Sequence, residues 1–374
     1  MTADSGRQPA ILAIPRHGLQ KLIQALRDED FETFGPLVRD GAVATGPIES
    51  VDQFPSGWLS EQDGGSYRLV EAGHPRFFDV TPGADGWKRY LFPPRQALFD
   101  LTEQDGSWHA EVPPTEATKR ALIGVRPCEL AAIQMQDRIF LRPPYADPFY
   151  RARRENLLLV VVNCLHPGDT CFCASVGTGP QAQAGYDLCL TELDESFLVE
   201  VGSPQGAALA SAIGAEPASD AAQRAAEDGL AYARSHMGRH LDTKDLPQRM
   251  LANLEHPHWD EVARRCLGCG SCALVCPTCF CWDAEETLVV GDGQQGRVRV
   301  WDTCFNPNHS YHAGGGTRQT VRSRYRQWLT HKLGSWVQQF GALGCVGCGR
   351  CITWCPAGID LTLDTKAFQL ESDP

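Results

Sequence analysis

Cys266, Cys269, Cys272 and Cys276, with Pro277 following, are spaced C-x2-C-x2-C-x3-C-P, and Cys345, Cys348, Cys351, Cys355 and Pro356 repeat that spacing. Thiolates at these intervals form the ferredoxin run, in which three close cysteines take three irons of one cubane and the fourth ligates the other cluster. A tight loop wraps three corners, and the fourth ligand has to come from elsewhere. On that logic Cys266, Cys269, Cys272 and Cys355 hold one [4Fe-4S] cluster, and Cys345, Cys348, Cys351 and Cys276 hold a second. Four-cysteine zinc sites also use CxxC knuckles, but a tetrahedral ion needs only two of them and this pattern supplies more, twice. Gly268, Gly270, Gly347 and Gly349 fit the cluster, because backbone has to approach sulfide closely and bend where a side chain would obstruct.

A second group is less regular: Cys128 in GVRPCEL, Cys164 in VNCLHPGD, and Cys171 and Cys173 in CFC. Cys128 follows the apolar run ALIGV and Cys164 follows LLLVVV, so both fall at the ends of expected strands. Open parallel sheets bind ligands there, where helix N-termini present free N–H groups to anions. A third [4Fe-4S] cluster on Cys128, Cys164, Cys171 and Cys173 is the expectation, set against ordinary buried thiols, which are common. Four cysteines remain. Cys189 in YDLCL reads as core, and Cys279, Cys281 and Cys304 read as packing beside the first ferredoxin run, with a further metal shared with His309 or His312 as the other option.

Sixteen cysteines in 374 residues are too few for a small disulfide scaffold and too many to be idle. The start lacks the charged region and apolar length of a secretory signal, and the longest clean apolar run, Leu157 to Val162, is far short of a membrane span. The expected compartment is the cytoplasm, where clustered thiols serve as ligands rather than disulfides. The formal charge is −12, yet no acidic residue lies between Asp302 and Asp360, where Arg318, Arg322, Arg324, Arg326, Lys332 and Arg350 fall. Anionic clusters need positive charge nearby, so these cations are expected to offset them or to meet an acidic partner. Nucleic acid is not expected as a partner, because no recognised fold motif accompanies the charge. No GxGxxG, Walker or nucleophile-elbow motif stands in its structural context, so the chain is expected to hold no flavin or nucleotide of its own and to conduct electrons.

The elements that must position these ligands differ along the chain. Gly18 to Glu29 has helical apolar spacing, whereas YRLV and RFFDV suggest antiparallel strands. From about residue 120, strands at Ala121–Val125 and Leu157–Val162 alternate with a helix at Glu129–Phe140, as in a parallel sheet covered on both faces. FLVEV and the helical GAALASAIGA continue that pattern, and Ser219–Met237 reads as a connecting helix capped by Ser219 or Asp220. Beyond about residue 245 the chain is expected to be mainly helical until LVV and RVRVW near 290 to 301. The fold class is therefore α+β: an N-terminal α/β domain (1–240) with a mixed or parallel sheet, then a mainly helical dicluster ferredoxin-like domain (241–374).

Taken in order, IGVRPCELAAI, VNCLHPGDTCFCASVGTGP, YDLCLTEL, CLGCGSCALVCPTCFCWD, RVRVWDTC and CVGCGRCITWCPAGID give a more specific signature. Together they resemble the iron-sulfur beta subunit of cytoplasmic NAD(P)-linked nickel-iron hydrogenases of the sulfhydrogenase type, and the related iron-sulfur subunit of anaerobic sulfite reductase. The resemblance implies a subunit that relays electrons between a flavin subunit handling NAD(P)H and the nickel-iron small and large subunits. In the sulfite reductase alternative the acceptor is a sirohaem subunit. A zinc-binding interaction module without redox work is the alternative from another class.

Overall fold

The computed structural model describes residues 11–115, 118–288 and 295–370. Among them, eight strands form a mixed sheet: β1 (Leu12–Pro15), β2 (Glu32–Arg39), β3 (Ala42–Pro47), β8 (Arg120–Val125), β9 (Leu157–Val162), β10 (Leu188–Glu192), β11 (Ser196–Val201) and β12 (Glu216–Pro217). Their spatial order is β12-β1-β11-β10-β9-β8-β2-β3. The central run β10, β9, β8 and β2 is parallel, and the outer strands add antiparallel.

Side chains alternate through that centre as a two-sided sheet requires. Ala121, Ile123, Leu158, Val160, Leu188 and Leu190 face one core with the helix Gly18–Asp28. Leu122, Leu159, Val161 and Cys189 face the other core with the helix Pro127–Phe140. Cys189 is completely buried there, the core role expected of it. The β8 ladder slips between Ile123 and Val125, at Gly124, whose φ of +90° suits only glycine and whose Cβ would strike Phe78 and Pro36. This bulge directly precedes Arg126 and Cys128, where it re-aims the chain leaving the sheet.

A second sheet has the order β13-β14-β6-β7, with β6 (Arg95–Gln104), β7 (Ser107–Glu111), β13 (Trp282–Leu288) and β14 (Gln295–Trp301). It joins strands from both ends of the chain, which sequence periodicity does not reveal. Val289 and Val290 of the expected LVV strand lie outside the described residues. A small hairpin pairs β4 (Trp58–Asp63) with β5 (Ser66–Glu71), the latter containing YRLV.

The segment RFFDV is not a strand. Its backbone is held instead by a side chain: the Phe77 and Phe78 N–H groups each donate to the Glu192 carboxylate at 2.8 Å. The remaining chain folds as short helices around a third core that includes Trp259, Tyr325, Trp328, Leu329 and Cys345, against which six further cysteines pack. Among the described residues, no helix is long and apolar enough to cross a membrane.

Candidate iron-sulfur centres

The two ferredoxin-type runs adopt one local geometry twice. Gly268 and Gly270 have φ of +65° and +76°, and Gly347 and Gly349 have +64° and +72°. In each run an N–H two residues on reaches back to the first sulfur: Gly268 to Cys266 Sγ and Gly347 to Cys345 Sγ, both at 3.4 Å. Each run then enters a short helix, Ser271–Leu274 or Arg350–Thr353. The left-handed glycines curl the backbone around a point, so N–H groups and thiols face the same space.

Cys266, Cys269, Cys272 and Cys355 line one cavity, walled by Phe305, Tyr325 and Trp328. Cys351 of the other set lines it too, so the two sets adjoin. Cys276 lies in the electrostatic reach of Cys345, Cys348 and Cys351, as the crossed ferredoxin arrangement requires. Burial pushes the Cys345 thiol up to about 12 and raises Cys272 and Cys351 well above the usual range. These thiols are costly to ionise unless metal binding offsets their charge.

Buried cations converge on the second set. Lys332 is 3% exposed and its Nζ lies 3.3 Å from Cys276 Sγ, 3.1 Å from Thr278 Oγ1 and 3.0 Å from the Gly344 carbonyl. The hydrogen bond from Cys279, with Lys332 beside it, holds the Cys276 thiol well below its ordinary range. Lys88 arrives from the N-terminal half, donates to the carbonyls of Leu274 (3.2 Å) and Cys276 (3.1 Å), and lies over the Trp301 ring. Arg350 forms a buried ion pair with Glu129, both under 4% exposed.

Cys128, Cys164, Cys171 and Cys173 line a third cavity, together with Arg126, Cys348 and Arg350. Cys128 sits in the first turn of the helix Pro127–Phe140, where unpaired N–H groups and the helix dipole favour negative charge. Cys164 leaves the end of β9. The loop carrying Cys171 and Cys173 is stitched to the second ferredoxin run: Phe172 N–H donates to the Gly347 carbonyl at 2.8 Å and Thr178 Oγ1 to the Val346 carbonyl at 2.7 Å. A Cβ on Gly347 would come within 2.6 Å of the Cys173 backbone, and one on Gly349 within 2.4 Å of the Thr170 carbonyl. These glycines therefore permit both the tight turn around the cysteines and the close docking of this loop. Burial raises Cys128, Cys164 and Cys173, and brings Cys171 to about 12.

All twelve expected ligands thus fall into three sets that adjoin in one order, with the Cys345–Cys351 run in the middle. Among the described residues, no three His, Cys, Asp or Glu side chains gather tightly enough for a single metal ion. A tetrahedral zinc draws four sulfurs to about 2.3 Å from one point, and no such gathering stands among the described residues. The buried thiols, the inward glycine N–H groups and the buried cations fit an anionic iron-sulfur group.

The basic stretch divides accordingly. Lys332 and Arg350 serve the cysteines, whereas Arg322 and Arg326 pair with Glu255 at 3.1 and 2.6 Å at the surface. Glu129 and Lys88 carry no local sequence signal, because each meets its partner across more than 180 residues of chain.

A 4Fe-4S dicluster domain model matches residues 265–359. Over 286 residues the chain is 33% identical to sulfhydrogenase 2 subunit beta of Pyrococcus furiosus, covering 73% of this chain and 79% of that one. The chain belongs to the sulfhydrogenase beta-subunit family. As a sulfhydrogenase-type beta subunit, it is an iron-sulfur electron-transfer subunit of mixed α and β class with a C-terminal 4Fe-4S dicluster domain. No solved structure matches the chain.

Proposed function

We propose that this subunit relays electrons from a flavin subunit that oxidises NAD(P)H to nickel-iron small and large subunits, or in reverse, through three [4Fe-4S] clusters. The ligand sets are Cys266, Cys269, Cys272 and Cys355; Cys345, Cys348, Cys351 and Cys276; and Cys128, Cys164, Cys171 and Cys173. The first two belong to a C-terminal part, 241–374, and the third to the N-terminal part, 1–240. The observation that carries this reading is adjacency: Cys351 lines the cavity of the first set, and Cys348 and Arg350 line that of the third.

When bound, such clusters supply one-electron exchange at potentials set by their ligands, hydrogen bonds and exposure. The residues of this chain hold the thiolates in place, exclude water with Phe305, Tyr325 and Trp328, and offset charge with Lys332 and Arg350. No substrate chemistry is assigned to the chain.

Anaerobic mixing tests the relay. The chain with NADPH alone is expected to keep its iron-sulfur absorbance, to bleach once the flavin subunit is added, and to bleach under hydrogen when the nickel-iron subunits are present. Bleaching by NADPH with the chain alone would overturn the division of labour. Persistence of the colour with either set of partners would overturn the choice of partner. For the third set, Cys128→Ser is expected to lose about four irons per chain, and unchanged iron would remove that cluster from the relay.

A further inference from the structure

The sequence leaves Cys279, Cys281 and Cys304 either packing beside the first run or sharing a further metal with His309 or His312. With His309 the three cysteines line a further cavity of about 190 Å³, larger than the cavities of the first and third sets. The histidine is oriented as a ligand. Its Nδ1 donates to the Asp302 carboxylate at 2.5 Å, and Asp302 is itself fixed by Asn306 at 2.9 Å. The same ring also hydrogen-bonds the Cys281 side chain, so the two groups meet in the cavity, and a carboxylate on Nδ1 is the partner that orients a metal-bound imidazole. His312, by contrast, is exposed and lies outside the cavity.

The wall is prepared for an anion. Trp328 and Trp336 line the cavity, are 4% and 2% exposed, and neither indole N–H has a hydrogen-bond partner. Buried donors without acceptors are rare enough to demand an explanation. Lys332 and Arg318 line the same space, and Lys332 Nζ is 3.7 Å from Cys279 Sγ. A lone zinc ion would neither fill this volume nor reach both indoles, and these four side chains are not close enough together for a single ion.

We propose that Cys279, Cys281, Cys304 and His309 ligate a fourth iron-sulfur cluster, a cubane with three thiolates and one imidazole. It rests on the iron-sulfur reading of the chain. The position makes it a side station: Cys279 adjoins Cys276 of the second set, Cys304 lies near Cys272 of the first, and the Trp328 ring borders both cavities. It exchanges one electron with either neighbour and needs no other reactant. An imidazole replaces a charged thiolate with a neutral ligand, so this station has a higher potential than its all-cysteine neighbours, as histidine ligation does in Rieske centres.

The test uses the full chain purified anaerobically, with iron, acid-labile sulfide and zinc measured together. The double variant Cys281→Ser/Cys304→Ser is expected to lose about four irons and four sulfides per chain while the rest remain. In protein carrying 15N-histidine, the reduced form should show a nitrogen hyperfine coupling that His309→Cys abolishes while iron is kept, with the potential of that signal lowered. Unchanged iron in the double variant, or loss of one zinc in place of iron, overturns the fourth site. Cys266→Ser in the same series separates the two readings: if it loses about four irons and the double variant none, only the fourth site fails. If the parent protein holds no iron, the iron-sulfur reading fails with it.

Discussion

At the scale of single residues, charge placement governs this molecule more than sequence position does. Arg350 and Glu129 form a buried ion pair between the middle and third cysteine sets, and such pairs are costly to break from one side. Arg350→Ala is expected to destabilise the chain by about 3–5 kcal/mol in chemical denaturation, while Arg350→Met with Glu129→Leu recovers most of that. Additive losses would show that the two side chains act separately. Lys332→Met removes the cation nearest Cys276 and is expected to lower the potential of the middle centre in an EPR-monitored titration, with iron content unchanged. An unmoved potential would show that Lys332 only packs. The cysteine spacings were legible in the sequence, since a ferredoxin run is a local pattern. The ligand role open to His309 was legible only as an option, because its orientation depends on Asp302 and the bend that brings them together.

At the scale of elements, the placement of Cys128 and Cys164 at strand ends followed from unbroken apolar runs. The helix Gly18–Asp28 and the strands β8, β9 and β11 were legible for the same reason: periodicity and burial agree there. RFFDV failed the strand expectation because the Glu192 carboxylate, over 100 residues away, takes the N–H groups that a neighbouring strand would take. The joining of β13 and β14 to β6 was hidden likewise, since register between distant strands leaves no local trace. The loop from Cys164 to Pro180 docks on the second ferredoxin run through contacts that admit only glycine at residue 347. Gly347→Ala combines a left-handed φ with a backbone collision, and should cost roughly 3 kcal/mol and reduce iron in both the middle and third sets. Iron loss confined to the middle set would mean that the loop does not depend on this docking.

At the scale of the whole molecule, the cysteines explain the composition. The C-terminal part has short helices and a core in which thiols stand beside aromatic rings, so its stability depends on what the thiols hold. Oxidative removal of iron under chelation is expected to lower the melting temperature by roughly 10 °C or more and to release near-ultraviolet signals from the buried tryptophans. Melting unchanged by iron removal would show that the helices pack without the clusters. The formal charge of −12 leaves the clusters out, and Lys88, Lys332 and Arg350 show where the fold compensates for them. The most direct test of a multi-cluster relay is the metal content of the anaerobically purified chain, counted with labile sulfide in one sample. About twelve irons and as many sulfides are expected from the three adjoining sets, and about sixteen with the histidine-bearing site filled; zinc in place of iron, with no sulfide, would contradict it.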